Sequence, residues 1–561
     1  MSVTPQDLGL PYARWHPGQW ETITALVSSE KPVIFLEAPT GSGKSGIVKA
    51  LSRLLDLDLT ILTGTLQLQD QYEETLGLAT ARGRANFPCQ LDPGLSAAQG
   101  VCTIGGACVH RTYTRHRFYP PEDHGKEGCS GCDGAEDTAC LYYWQSFAAE
   151  RAPAKVLNYQ YWLATANYAG RFRQPGLLVC DEAHSLDDQI RTFATVRISS
   201  RLVSGLHYAV PRIPDSDMQA WFEWAEKARD DFEVEYRDIT SGRAGSPTTR
   251  EEEQRRRDIL SLCRACDMLL CQSPDTWVAE RDAPRGVTTF KPIWVSGLVK
   301  MLVTRHASRI IFMSGTILDP AFFAESLGLV TDQVDFIRVN STFPVANRPL
   351  HYEPVGKVKV ADEASVRAAV TRIDQIIARH PGQKGIIHTV SHKLANEIIR
   401  QSKNSSRMIG HVRENKAAQL DLFKRSDDGI WVSPSSGTGV DLPYDQCRWQ
   451  VISKLPFPDL GDKQIKQAMK KGPDGQPLPS ASRWYNWATA CSLMQMVGRG
   501  VRAPDDRCDS YLIDGNWGWF RHYMYKTAPE WFLNAIRRPQ IFLEPEVNET
   551  PEQMLAKLLA S

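Results

Sequence analysis

Short apolar runs recur along the chain, each closed by an acid or a hydroxyl residue, with helically spaced stretches between them. The first, Lys31-Pro-Val-Ile-Phe-Leu-Glu37, is apolar on both faces, as expected of a strand buried in a parallel sheet. A glycine-rich turn follows, after which Ile47, Val48, Leu51 and Leu54 share one face of a predicted helix from Lys44 to about Leu55. Leu59–Thr63 reads as a second buried strand. Strand, crossover helix and parallel strand together predict an α/β lobe. Gly176–Asp181 repeats the pattern and ends in an acid, and Arg309–Met313 repeats it and runs into Ser314-Gly-Thr316. A second α/β lobe is predicted from about residue 340, with strands at Gly385–Thr389, Gly429–Ser433, Gln450–Ile452 and Tyr511–Asp514.

Two stretches break this rhythm. Residues 83–150 are rich in Cys, Gly, Pro and aromatics and show little periodicity, which suggests an insertion held by something other than a large core. Residues 196–304 are mainly helical in pattern, interrupted at Ser241-Gly-Arg-Ala-Gly-Ser-Pro247. There Glu252 and Glu253 stand four residues before Arg256 and Arg257, a spacing that suits a solvated helix face. The predicted division is a first lobe in three pieces (1–82, 151–195 and 305–340), insertions at 83–150 and 196–304, and a second lobe at 341–561.

A chain of 561 residues is long enough for several such units, at about 150 residues each. Lys+Arg and Asp+Glu both number 65, so the protein is no polycation, and any nucleic-acid contact must use local basic patches. Met1–Leu10 has neither a basic nor an apolar signal region, and no apolar run approaches the length of a membrane span. A cytoplasmic protein without membrane contact is expected. Six of the 13 cysteines fall between Cys89 and Cys140, and in a reducing compartment such crowding reads as metal or cluster ligation.

Three groups of residues carry candidate chemistry. Between a strand and a helix lies Ala38-Pro39-Thr40-Gly41-Ser42-Gly43-Lys44-Ser45, the context a phosphate-binding loop requires. Gly41 and Gly43 let backbone amides turn towards phosphate oxygens, Lys44 reaches the β- and γ-phosphates of ATP, and the Ser45 hydroxyl can ligate Mg2+. Asp181-Glu-Ala-His184 closes a buried strand, so its carboxylates emerge at the sheet's C-terminal edge. Asp181 suits Mg2+ held through water, and Glu182 suits orienting and deprotonating the attacking water. Far downstream, Arg499 and Arg502 are three apart and share a face if helical; from the second lobe they would act as arginine fingers.

Taken in order, Ala38–Ser45, Thr63-Gly-Thr-Leu-Gln67, Asp181–His184, Ser314–Thr316, Gly437-Thr-Gly-Val-Asp441 and Gln495–Arg502 resemble motifs I, Ia, II, III, V and VI of superfamily 2 helicases. Gly83-Arg-Ala-Asn-Phe-Pro-Cys89, Cys140-Leu-Tyr-Tyr143, Val156-Leu-Asn-Tyr159 and Lys454-Leu-Pro-Phe-Pro458 are similar to the XPD/DinG branch. The resemblance spans about Tyr12 to Asp514. It implies two RecA-like lobes, ATP-dependent unwinding of forked or tailed duplex DNA, 5′→3′ translocation on single-stranded DNA as a monomeric motor, and an arch domain at 196–304. No N-terminal nuclease domain is expected, because so little precedes the motor. Gln495 joins the catalytic set and Asp441 the nucleotide set. Gln19, in His16-Pro-Gly-Gln19, becomes a candidate adenine contact, with His16 where the family has Arg. Thr63, Thr65, Thr316 and Thr438 become candidate phosphate contacts.

The family further implies a [4Fe–4S] cluster, and Cys89, Cys102, Cys108 and Cys140 resemble its ligand spacing. A rival set replaces Cys102 and Cys108 with Cys129 and Cys132, a Cys-x-x-Cys pair equally suited to zinc. Cys263, Cys266 and Cys271 read as buried apolar side chains, and Tyr142, Tyr143 and Trp144 as core packing or as part of a strand-separating edge. Two other functions fit the same motifs: an ATP-operated nucleic-acid-binding switch with little unwinding, and an RNA- or R-loop-directed motor. The pathway served is not legible in the residues.

Overall fold

The computed structural model describes residues 3–104, 108–118, 139–172, 174–240, 250–434, 442–469 and 479–537. The first lobe begins with β1 (Val33–Glu37), β2 (Leu59–Thr63), β3 (Ala79–Ala81), β4 (Ala154–Asn158) and β5 (Leu177–Asp181). A domain containing β6 (Val196–Ser199), β7 (Trp277–Asp282) and β8 (Val287–Pro292) interrupts it, and β9 (Ile310–Ser314) and β10 (Val334–Arg338) complete it. The second lobe contains β11 (Leu350–Tyr352), β12 (Gly385–His388), β13 (Met408–Ile409), β14 (Ile430–Ser433), β15 (Trp449–Ile452), β16 (Asp509–Leu512) and β17 (Ile536–Arg537). The mixed α/β, two-lobed architecture expected from the apolar runs is present.

Both motor sheets are parallel, in the orders β10-β1-β9-β5-β2-β4-β3 and β13-β14-β12-β15-β16-β11-β17. In β1, β2, β5 and β9 every residue is buried, which explains runs that are apolar throughout rather than alternating. The order matters for chemistry. Strands β1, β9 and β5 are neighbours, so the segments leaving their C-terminal ends (Ala38–Ser45, Gly315–Leu318 and Glu182–His184) share one edge.

Residues 196–304 are mainly helical, but they also contain a sheet that the pattern did not predict. Long helices at Met218–Thr240 and Arg250–Leu270 pack together, but β6, β8 and β7 form a three-stranded antiparallel sheet beside them. The strand signal lay in the alternating burial of Val287–Pro292, whose outer face carries Val287, Thr289 and Lys291. Cys263 and Cys266 are buried in the second helix as expected. Cys271 instead is exposed, because the helix has ended at Leu270.

The lobes meet along the helix Pro479–Val497, whose large side chains, among them Tyr485, Trp487, Leu493 and Met494, join a core cluster continuous with first-lobe residues such as Phe312, Ile317 and Phe323. Trp487 stacks on Phe323 with ring centroids 5.6 Å apart. No described helix is long and apolar enough to cross a membrane.

Candidate nucleotide site between the lobes

The loop after β1 turns on two glycines with left-handed backbone, Gly41 (φ +79°) and Gly43 (φ +72°), where a side chain would be strained. Its entry is tied to the next strand by Ala38 N–H, which donates to the Ser314 carbonyl at 2.8 Å. Ser42 Oγ donates to the Pro39 carbonyl at 2.7 Å and Lys44 Nζ to the Ala38 carbonyl at 3.1 Å, so the ammonium lies folded back over the loop. Pro39 is buried, whereas Thr40 is exposed and Ser45 half-buried at the start of the helix Lys44–Leu54.

Gln19 lies against this loop. Its Nε2 donates to the Ser42 carbonyl at 3.1 Å, and its Oε1 accepts from His16 N–H at 2.7 Å, which orients the amide. A Cβ on Gly43 would collide with the Gln19 side chain. The glutamine therefore fixes the loop itself, its amide nitrogen donating to the Ser42 and Gly43 carbonyls.

Asp181 ends β5 nearly buried, with Tyr72 Oη donating to its Oδ2 and Glu182 N–H to its Oδ1, each at 2.9 Å. Tyr159 Oη donates to the Asp181 carbonyl at 2.9 Å. Burial pushes the Asp181 carboxyl up to about 6, the Glu182 charge adds to the rise, and Lys44 opposes it. Glu182 adopts a left-handed backbone (φ +51°), uncommon for a non-glycine residue and the kind of strain held at functional sites. Burial would raise its carboxyl, but His184, Lys44, Arg499 and Arg502 outweigh that and hold it below the usual range. His184 Nδ1 lies 2.9 Å from Ser314 Oγ and 3.3 Å from Glu182 Oε2, and burial holds its pKa down.

Arg499 and Arg502 are not helical. The helix stops at Val497, and glycines at 498 and 500 carry the chain out of it. The expectation of a shared helix face was wrong, yet both guanidinium groups act on Glu182 across the cleft. The loop bearing them is organised by buried Asp506, which accepts from Arg502 N–H at 3.1 Å and Tyr444 N–H at 3.2 Å and pairs with Arg448 at 3.2 Å. Gln495, from the same motif, donates to Thr316 Oγ1 at 3.1 Å.

Several residues of the site escaped the sequence reading: Tyr72, Asp506 and Phe343. The Phe343 ring, from the segment joining the lobes, packs where a Cβ on Gly41 would lie. None belongs to a spaced motif, so only the fold could bring them in. Thr63 and Thr316, expected as phosphate contacts, each make a hydrogen bond within the protein. Both are buried, Thr63 donating to the Thr65 carbonyl and Thr316 accepting from Gln495. Thr65 caps the helix Leu66–Leu76. Thr438 and Asp441 lie outside the described residues.

In the first insertion, Cys89, Cys108 and Cys140 are buried and Cys102 half-buried. Burial raises the Cys140 thiol, and Cys102 and Cys108 lie near enough to raise it further. Cys89 Sγ packs on Gly100, two residues before Cys102. Among the described residues no group of three or more His, Cys, Asp or Glu is gathered as around a single metal ion. An all-sulfur donor set fits an iron–sulfur group, in which each thiolate holds its own iron and the sulfurs stand further apart. Cys129 and Cys132 lie outside the described residues. Tyr142 and Tyr143 are core, beneath the guanidinium of Arg84, whereas Trp144 is 41% exposed and packs edge-on against Phe118.

Residues 373–534 match the helicase C-terminal domain family. Among solved structures, an XPD helicase aligns with 90% of this chain and 97% of its own at 13% identity, with a TM-score of 0.54. Xpd4 from S. tokodaii aligns with 93% of this chain and 99% of its own at 15% identity, also with a TM-score of 0.54. No curated protein matches the chain. The chain thus has an XPD-like fold of two RecA-like lobes, and residues 373–534 match the helicase C-terminal domain family.

Proposed function

We propose that this protein is an ATP-driven DNA helicase that moves 5′→3′ on single-stranded DNA and opens forked or tailed duplexes. One observation carries the reading: the Gln495–Arg502 segment of the second lobe is bonded to the first through Gln495 Nε2 and Thr316 Oγ1 at 3.1 Å, with Arg499 and Arg502 near enough to help lower the Glu182 carboxyl. A site divided in this way binds nucleotide with one lobe and completes its charge complement with the other, so turnover and lobe movement are linked.

In this reading Lys44 leaves the Ala38 carbonyl to meet the β- and γ-phosphates, and the amides of Gly41 to Ser45 surround them. Glu182, held ionised by its cationic neighbours, accepts the proton of the attacking water. Arg499 and Arg502 stabilise the charge that develops on the transferred phosphoryl group. Mg2+, held by Ser45 and Asp181, would neutralise phosphate charge. The tyrosine hydroxyl on Asp181 fixes one carboxylate oxygen and leaves the other facing the Glu182 amide. Cys89, Cys102, Cys108 and Cys140 would hold the [4Fe–4S] cluster, which would tie together an insertion with only a small core of its own.

The test is anaerobic purification followed by iron and sulfide counts, ATP turnover, and unwinding of DNA and RNA duplexes bearing a 5′ or a 3′ tail. About four irons per chain and opening of 5′-tailed DNA are expected, and Lys44→Ala should abolish turnover while single-strand binding persists. Normal turnover in Lys44→Ala refutes the site. An iron-free, fully active wild-type preparation refutes the cluster, and opening of RNA alone refutes the DNA assignment.

A further inference from the structure

Glu37 is the last residue of β1, next to the phosphate-binding loop, and is only 1% exposed. A carboxylate buried so deeply must be compensated. Its Oε2 accepts two backbone N–H groups, from Ile317 at 2.9 Å and Leu318 at 2.5 Å. Its Oε1 lies 2.6 Å from Arg338 Nε. Arg338 Nη2 in turn donates to the Leu318 carbonyl at 3.1 Å and the Thr527 carbonyl at 3.4 Å. The carboxylate thus secures the inner side of the turn Ser314–Leu318, where Leu318 is held at a left-handed φ of +66°.

The outer side of that turn faces one stripe of the helix Pro479–Val497. Arg483, Trp487, Cys491 and Gln495 recur every four residues and so lie along one face. Arg483 pairs with Asp319 at 3.3 Å. Trp487 Nε1 donates to the Ile317 carbonyl at 2.8 Å, Cys491 Sγ to the Thr316 carbonyl at 3.3 Å, and Gln495 Nε2 to Thr316 Oγ1 at 3.1 Å. Helix geometry sets the spacing of these four partners, so they can engage a backbone held in one conformation only. Two residues beyond this helix lies Arg499. From the turn's other end, Ser314 Oγ accepts from Thr316 N–H at 3.1 Å and contacts His184, beside Glu182.

We infer that Glu37 is a positioning residue for interlobe coupling: by holding the Ser314–Leu318 turn in the one shape that the Arg483–Gln495 stripe can grip, it links nucleic-acid-dependent lobe movement to hydrolysis. The Glu37 carboxylate is buried and engages Ile317, Leu318 and Arg338, none of them assigned above to the phosphates or the attacking water. The inference rests on the translocase reading above and assigns that site a transmission element.

The test compares wild type with Glu37→Gln, Trp487→Phe and the double variant, each in the full chain, measuring ATP turnover with and without single-stranded DNA or RNA. Glu37→Gln keeps an acceptor but loses the ion pair, and Trp487→Phe keeps the aromatic packing but loses the hydrogen bond. The expected result is a KM for ATP and a nucleic-acid-free turnover within about twofold of wild type, with the stimulated kcat reduced at least about tenfold. The double variant should be no worse than the more severe single one, because both act through one turn. A purely structural role would lower basal and stimulated turnover together. If Glu37→Gln does not fold, Trp487→Phe decides, since it keeps an aromatic ring against Phe323 and changes no residue of the first lobe. Equal stimulation in variants and wild type overturns the inference alone; a wild type that hydrolyses ATP without responding to DNA or RNA overturns the translocase reading and the inference with it.

Discussion

Gln495 of the second lobe donates a hydrogen bond to the Thr316 hydroxyl of the first, 3.1 Å away. The bond joins the segment that carries Arg499 to the turn that follows β9; Thr316 is buried and Gln495 half-buried. A bond of this kind contributes about 0.5–1.5 kcal/mol, and losing one partner costs more where the other is left unsatisfied. Gln495→Ala and Thr316→Val should each lower nucleic-acid-stimulated ATP turnover, and a double-mutant cycle should give a coupling of about 1 kcal/mol. Additive effects would show the bond to be incidental.

Arg499 and Arg502 both act on Glu182, although they leave the helix before reaching it. Replacing either with Ala should reduce kcat by about 10³- to 10⁵-fold with a much smaller change in nucleotide affinity, as for a group that acts on the developing charge. A nucleotide-binding titration beside single-turnover hydrolysis separates the two effects. A loss confined to affinity would make these residues ligands of the ground state only.

Gly41 combines a φ of +79° with the Phe343 ring packed over its open face. Gly41→Ala adds backbone strain and a steric conflict, and should weaken nucleotide binding at least about tenfold, which is about 1.4 kcal/mol. If the conflict with Phe343 is the larger cause, the double variant with Phe343→Ala should recover part of the affinity. No recovery would place the whole effect in the backbone.

His388 is fully buried at the end of β12, its Nε2 lying 3.1 Å from Gln450 Oε1, and burial holds its pKa at about 4. Its ordinary value is near 6.5, so the unfolded chain takes up this proton first as the pH falls. The stability held by keeping His388 neutral is fully present above about pH 6.5, is lost progressively between there and about pH 4, and amounts to about 3 kcal/mol at most. Thermal unfolding at pH 7.5 and pH 5 should show a drop that His388→Gln reduces. An unchanged pH response in that variant would rule His388 out as a source of acid sensitivity.

Much of this molecule was legible in its local pattern. Strands buried on both faces must be apolar throughout, so β1, β2, β5, β9 and β14 could be located within a residue or two. A loop around phosphate needs glycine and lysine at set intervals, so Ala38–Ser45 announces itself. The carboxylates at 181 and 182 gained meaning from the strand they terminate. The small antiparallel sheet at residues 196–304 was missed because its strands are buried on one face only and lack the wholly apolar runs of the larger sheets, so helical neighbours dominated the pattern.

Pairing across long sequence distances belonged to the tertiary structure. Nothing local to Glu37 indicates that it will hold Ile317 and Leu318, some 280 residues away, or that Tyr72 will bond to Asp181. Nor could helical spacing place Arg499 and Arg502, whose reach depends on a loop anchored by Asp506 rather than on a helix face. Periodicity reports which side of an element is buried, because burial is repeated along it. A single buried hydrogen bond or ion pair repeats nothing, and its partner is chosen only when strand order and lobe packing bring the two ends together.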